Sequence, residues 1–364
     1  MAGKKRKGMF ALGMLLYAVI FLALTAAGLT VFWNFIDSYE QSRPKNTMDA
    51  YLSALTVEDM FAKASQTREA IDGYLQTPQE SLDIIRDCLG EKITYARKSS
   101  ASSQTHQTYV LRSGSRVLGE VVIAASVPDR FGFSIWDVRE ESFDFTYLLC
   151  QPRSITVPQD YVVYANGVPL DESYITDSGI EYTALEEFYD DYDMLPTMVT
   201  YSADGVLGAL ELRVEDSKGA VVEHWEETDP NICLNNCTQA EEAELEDYMN
   251  RFLQSYVLFT GSSNQASKAN YVKLKKQFLI PDSPLAQRLY TALDGLAFAQ
   301  SYGDKLDEVT VNRVSRIDDA HYFCDVTYLV STYGKAGRVQ TTNNLKVMLV
   351  SWEGSLRVEA MTQY

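Results

Sequence analysis

The sequence predicts an α+β protein. It would have an N-terminal transmembrane helix and two segments that each run helices first and antiparallel strands second, flanking a small all-β segment. Three observations predict this. Met9–Phe35 contains no Asp, Glu, Lys, Arg or His over 27 residues. The apolar spacing changes from a helical period to a period of two at two places, after Gly90 and again beyond Leu296. Turn clusters at Cys150-Gln151-Pro152, Asp229-Pro230-Asn231 and Asn235-Asn236 divide the rest into residues 45–150, 151–232 and 238–364.

As a helix, the uncharged run spans roughly 40 Å, enough to cross a hydrocarbon core of ~30 Å. Trp33 and Asn34 stand near its distal end, where an aromatic ring suits the interface. A cleaved signal peptide is the competing reading, with Thr25-Ala26-Ala27 as its site. Signal cores hold only ~7–15 apolar residues, however, and this run continues through Val31, Phe32, Trp33, Phe35 and Ile36. Lys4, Lys5, Arg6 and Lys7 precede the run, whereas Asp37 and Glu40 follow it. Positive charge stays on the cytoplasmic side. Residues 1–8 are thus expected to be a cytoplasmic basic tail and 9–36 a single-pass plasma-membrane anchor, with the C-terminal domains extracellular. The lipid bilayer is the expected partner of residues 9–36.

The chain has 364 residues and a net charge of −18; four cations and no acid precede Asp37, which leaves −22 for the remainder. So acidic a chain is a poor match for nucleic acid, which a basic face recognises. It is also repelled by anionic lipid and wall polymers, so bulk electrostatic adhesion is not expected.

In 45–150, Met48, Tyr51, Leu52 and Leu55 share a helix face behind Thr47, a candidate cap. Further helices are expected over Arg68–Gln76 and from Pro78 to Gly90. Strands are expected over Lys92–Lys98, Gln107–Arg112, Val117–Ser126 and Ser142–Cys150. Phe131, Phe133 and Ile135 alternate with small or polar residues, and Ser113-Gly114-Ser115 forms a hairpin turn.

In 151–232, Asn166-Gly167 and Asp204-Gly205 read as hairpins, with strands over Thr197–Tyr201, Ala209–Val214 and Ala220–Trp225. In 238–364, Leu245, Tyr248, Met249, Phe252, Tyr256 and Phe259 form one helical stripe. Helices over Lys268–Leu279 and from Pro284 follow it. The strand Tyr322–Val330 has two faces: Tyr322, Cys324, Val326, Tyr328 and Val330 on one, His321, Phe323, Asp325, Thr327 and Leu329 on the other. Arg338–Trp352 and Ser355–Thr362 complete the meander.

This order resembles the nuclear-transport-factor-2-like superfamily, in which three helices close over a curved antiparallel sheet to make a cone. The resemblance covers 238–364 well and 45–150 less well, and it implies two cone-like domains. The string ITVPQDYVVYANGVPLDESYI resembles short β-modules of Gram-positive cell-envelope proteins. Anchor, β-module and terminal cone together resemble the teicoplanin-resistance-associated membrane protein family. The N-terminal zinc-binding cysteines of that family are lacking here.

The catalytic motifs are sparse. Ser42-Arg43-Pro44-Lys45 matches S-x-x-K without the Ser-Asp-Asn and Lys-Thr-Gly partners, and no G-x-S-x-G occurs. His106 reads as part of a hairpin tip, His224 as a cross-strand partner of its sheet, and His321 as a surface strand residue. The acidic run Glu186–Asp193 lacks EF-hand spacing and reads as a solvated loop or a weak divalent site. Cys233 and Cys237 are close enough in sequence to bridge.

The function expected is that of a non-catalytic, membrane-anchored extracytoplasmic binding or assembly module of the envelope, without cofactor or metal. Its partner would be an envelope protein or a wall component. The partner surface is expected at His321, Phe323, Asp325 and Thr327. Tyr248, Tyr256, Tyr290, Tyr322 and Tyr328 would line a cavity. The alternative is a cone-fold hydrolase or isomerase acting on an envelope-derived substrate, with His321 and Asp325 as its groups. A sensor relaying through the anchor is disfavoured by the short tail.

Overall fold

The computed structural model describes residues 3–90, 92–262, 264–296, 304–334 and 337–364. It is a mixed helix-and-sheet protein with one N-terminal apolar helix and several antiparallel sheets. The side chains of Lys4, Lys5, Arg6 and Lys7 lie outside the described residues. Helix α1 covers Gly3–Gln41. Its Leu12–Gln41 stretch is long and apolar enough to cross a membrane, and its most apolar window is unburied.

α2 (Pro44–Ala54) starts at the proline, whose fixed φ suits a first helical turn. Thr47 is therefore inside the helix and does not cap it; its hydroxyl donates to Trp136 O at 3.4 Å. α3 (Val57–Ala62) was not foreseen, although its start is written in sequence as a reciprocal capping box between Thr56 and Asp59. α4 (Ser65–Ala70) replaces the helix expected over Arg68–Gln76. Ile71 turns to extended backbone, and Asp72 N–H donates to Gly205 O at 2.8 Å, a tertiary partner that ends the helix. α5 (Pro78–Cys88) carries a second capping box, Thr77 with Glu80.

β1 (Ile93–Arg97), β2 (His106–Ser113), β3 (Arg116–Ala125) and β4 (Trp136–Phe143) form an antiparallel sheet in sequence order. The strand expected over Ser142–Cys150 gives way to a 3-10 turn at Thr146–Leu148. Phe131 and Phe133 lie in the β3–β4 loop and not in a strand, because their rings pack on the end of α1. Met48, Met60, Ile85, Leu111, Val121, Ile123 and Phe143 make the core, which Leu207 joins from far along the chain. Buried Gln76 holds Leu207 in place, donating to its carbonyl at 3.0 Å and accepting from its N–H at 2.9 Å.

The middle segment holds β5 (Arg153–Pro158), β6 (Val162–Ala165), β7 (Val168–Pro169), β8 (Ile175–Glu181), β9 (Thr197–Ala203) and β10 (Leu212–Glu215). Their orders are β5–β9–β8 and β10–β6–β7. Asn166 and Gly167 both take positive φ, 49° and 83°, as a primed hairpin turn requires. Asp204-Gly205 does not make a hairpin, since β9 and β10 belong to different sheets. Gly205 instead approaches the backbone at the end of α4 so closely that a Cβ would stand 2.9 Å from Ala70 O. The strand expected over Ala220–Trp225 shrinks to a bridge at Val221. His224 is left-handed at φ 53°, not a strand residue, and Trp225 Nε1 donates to Thr156 O at 2.7 Å.

The chain divides into two compact units, one of residues 1–153, 165–168 and 203–212, the other of 154–164, 169–202 and 213–364. The second unit adds α6 (Gln239–Thr260), α7 (Asn264–Phe278) and α8 (Pro284–Leu296) to β11 (Lys305–Arg316), β12 (His321–Gly334), β13 (Gly337–Trp352) and β14 (Ser355–Gln363). Thr238 and Glu241 form a third capping box at the start of α6. β11 was not foreseen; it pairs with β12 along an antiparallel four-stranded sheet in sequence order. Register shifts near Asp307, Asn312 and Met348 bend that sheet. The apolar stripe of α6 packs on its inner face, where Val314, Cys324, Val326, Tyr328, Val347 and Leu349 are buried.

Candidate binding site

The two faces of β12 have different neighbours. On the inner side, Tyr248 and Tyr322 line a cavity of about 880 Å³ with Leu245, Phe278 and Leu356, under α6 and beside the β13–β14 turn. Tyr248 is buried, and its hydroxyl donates to Phe278 O at 3.4 Å. Burial pushes its pKa up, partly opposed by the nearby Arg357 and Arg251 guanidiniums. Arg251 lies 5.9 Å from the Tyr248 ring centre and pairs with Asp247 at 2.9 Å. Arg357 donates from Nη1 to Lys276 O at 2.9 Å, while its buried Nε has no hydrogen-bond partner among the described residues. Lys276, Glu241, Glu244 and Asp319 add charge of both signs.

The other predicted cavity tyrosines lie elsewhere. Tyr256 stacks on Phe252 at 5.8 Å inside the core. Tyr328 is buried in the same core, and desolvation followed by Tyr256 pushes its pKa up to about 12. Tyr290 is 64% exposed and touches Tyr271 from outside, and it is not among the residues that line the cavity under α6. It sits on the solvent side of α8, which a helical stripe of leucines does not reveal.

On the outer side, Phe323 is fully buried, which corrects its reading as an exposed surface residue. It packs with Met348 and Ala360 against Tyr182, Leu185, Phe188 and Leu195 of the middle segment. Phe188 meets Phe323 edge to face at 6.1 Å. Glu187 pairs with Lys346, which is only 5% exposed. Tyr189 OH donates to Pro196 O at 2.6 Å and accepts from Tyr182 N–H at 2.9 Å. The acidic run is therefore a seat for the sheet: its aromatic residues turn inward, and Glu187 reaches a buried cation.

The remaining outer-face residues are committed to neighbours. Asp325 accepts from Tyr364 OH at 2.9 Å and Asn312 Nδ2 at 3.3 Å. Thr327 accepts from Asn312 at 2.9 Å and donates to Asn344 Oδ1 at 3.0 Å. His321 Nδ1 meets Asp318 at 2.8 Å, and its Nε2 stands 3.7 Å from Glu359. His321 and Asp325 thus face different partners, Asp318 and Glu359 for one and Tyr364 and Asn312 for the other. Cys233 is a free thiol accepting from Tyr161 OH at 3.2 Å, and Cys237 is also free. Tyr161, Trp225, Lys218 and Arg316 border a second hollow of about 770 Å³. Among the described residues no group of three or more His, Cys, Asp or Glu could hold a metal ion.

Sequence reasoning missed Arg357, Lys276 and Arg251 at the cavity. A weak signal existed for Arg251, three residues after Tyr248 on the buried stripe. Arg357 and Lys276 meet only when β14 lies beside α7.

No family model matches the sequence, and no curated protein matches it. Some solved structures share a faint likeness. The intermembrane space region of the chloroplast protein ARC6 is 10% identical, with a TM-score of 0.27 over 35% of this chain and 97% of that one. A periplasmic fragment of TraM is 9% identical, with a TM-score of 0.25 over 32% and 96%. An Ntf2 like protein involved in plasmid conjugation is 8% identical, with a TM-score of 0.25 over 75% and 76%.

Proposed function

We propose that this chain is a single-pass, membrane-anchored binding or assembly module of the cell envelope, with its N-terminus cytoplasmic and its globular part outside. The observation that carries the reading is the C-terminal cavity. Its aromatic and aliphatic wall, Tyr248, Tyr322, Phe278 and Leu356, is edged by Arg357 and Lys276, and such convergence of a few polar groups on an apolar hollow suits a ligand or a peptide segment. On the outer face, the chain's own residues 182–195 cover Phe323 and Met348, so the part of the expected partner surface around Phe323 is not open to a partner. The division into 45–150, 151–232 and 238–364, the kinship with the teicoplanin-resistance-associated family, and an envelope protein or wall component as partner belong to this proposal.

The experiment uses full-length protein in detergent, offered solubilised wall fragments and membrane proteins from the same cells. Capture that is lost with Tyr322→Ala and Arg357→Glu, but kept with Tyr290→Ala, supports the cavity. Capture indifferent to all three counts against it. Turnover of a wall fragment abolished by His321→Ala would favour the hydrolase or isomerase reading.

A further inference from the structure

The β3–β4 loop, residues 126–135, is apolar where a wetted loop is usually polar. Its neck is closed by Ser126 N–H donating to Ile135 O at 2.7 Å. Its tip is organised by Asp129, whose carboxylate accepts from the N–H groups of Phe131 at 2.8 Å and Phe133 at 3.0 Å. Burial raises the carboxyl's pKa, but bonds from Phe133, the Ser38 hydroxyl, Phe131 and Gly132 hold it below the usual range. Yet Val127 is 88% exposed and Ile135 43%.

The loop leans on the end of α1. Phe131 meets Phe35 at 5.7 Å, and Phe133 meets Phe35 at 5.2 Å and Tyr39 at 5.7 Å. Phe35 and Ile36 are the last apolar residues before Asp37. A bilayer core takes about 20 helical residues, so the longer apolar run of residues 9–36 reaches roughly 10 Å beyond it if its start marks one boundary. The loop's rings touch the helix at that depth, the headgroup layer. There Phe131 closes an open apolar groove of about 540 Å³ along Leu24, Gly28, Val31 and Phe32. The groove continues the unburied surface of the anchor. Arg130 holds its guanidinium 4.7 Å from the Phe131 ring centre.

We propose that this loop is a second membrane contact, with Val127, Phe131 and Phe133 in the headgroup layer beside the anchor and Arg130 against lipid phosphate. The first unit then rests on the bilayer beside its anchor instead of swinging from it. The occupant is lipid because the exposed apolar side chains are continuous with a helix surface that only lipid covers along its length. The inference rests on α1 being a membrane span.

The test uses the full-length chain in phosphatidylcholine–phosphatidylglycerol vesicles, with an environment-sensitive fluorophore attached through an encoded azide at one position at a time. At Leu22 the dye should be quenched by nitroxide buried deep in the acyl region. At Val127 it should be quenched by nitroxide near the headgroup, at least about twofold more than at Tyr147, an exposed site in the same unit. Phe131→Ser with Phe133→Ser should remove the quenching at position 127 and leave that at 22. If Leu22 is not quenched, the span itself fails and the proposal falls with it. If Leu22 is quenched and position 127 responds only to aqueous iodide, the loop proposal alone is overturned. Crosslinking of position 131 to a second copy, without lipid quenching at 127, would overturn it in favour of helix pairing.

Discussion

The two helix-then-sheet regions share an order of elements but use their outer surfaces differently. The N-terminal one builds its core from short helices of 11, 6, 6 and 11 residues and recruits Leu207 to complete it. The C-terminal one has helices of 22, 15 and 13 residues and strands of up to 16. Part of its sheet is buried on both faces, by α6 within and by residues 182–195 over Phe323 and Met348 without. A long helix stripe closes a sheet face and leaves room for a cavity at the end, whereas short helices need help from elsewhere in the chain. The outside of a sheet is available to a partner only if its own chain has not reached it first.

Four measurements test this difference between the two regions. The largest effect is expected at the covered outer face. Phe323→Ala should lower stability by about 3–5 kcal/mol in denaturant titrations, and Tyr328→Ala on the inner face should do the same. A near-neutral Phe323→Ala would show that residues 182–195 do not cover the sheet. Next, Leu207→Ala should cost about 2–5 kcal/mol, with increased amide exchange at α5 and β3 of the first unit. Exchange that rises only in the second unit would assign Leu207 to the wrong core.

The caps are the shared device, so Thr77→Ala and Thr238→Ala should each cost about 1 kcal/mol, one per unit. A cost confined to one unit would end the parallel. The smallest effect is one of pH. In the C-terminal sheet, the Ser331 hydroxyl, then Gln340 and Arg338, hold the Asp307 carboxyl down at about 2. A carboxyl depressed in the folded state contributes fully above its unfolded pKa of about 4, and that contribution is lost as pH falls toward 2. Asp307→Asn should therefore flatten the acid limb of the stability curve and leave neutral pH less affected than the Phe323 change. An unchanged acid slope would remove Asp307 from the account.

Much of the fold was legible because it follows local rules. The run without charge from Met9 to Phe35, the α6 stripe and the Asn166-Gly167 turn each specify their structure within a few residues. The two-faced reading of Tyr322–Val330 was correct in its alternation and wrong about Phe323, since alternation separates faces without saying what covers each. The run Leu345–Val350, apolar but for Lys346, was the clue, because a strand covered on both sides loses most of the polar half of its pattern. Phe131 and Phe133 misled in a similar way: period two stood for two rings landing on α1 and not for a strand.

Residues a few positions apart were enough to fix the N-terminal apolar helix, the α6 stripe, the Asn166-Gly167 turn and the inward face of β12. Tertiary structure alone decided that Leu207 completes the first core, that Phe188 covers Phe323, and that Arg357 meets the carbonyl of Lys276 beside Tyr248. In these contacts Arg357 stands 81 positions from Lys276, and Phe323 stands 135 from Phe188. Their favourable energy comes from excluding water between surfaces that local periodicity can mark as apolar but cannot pair.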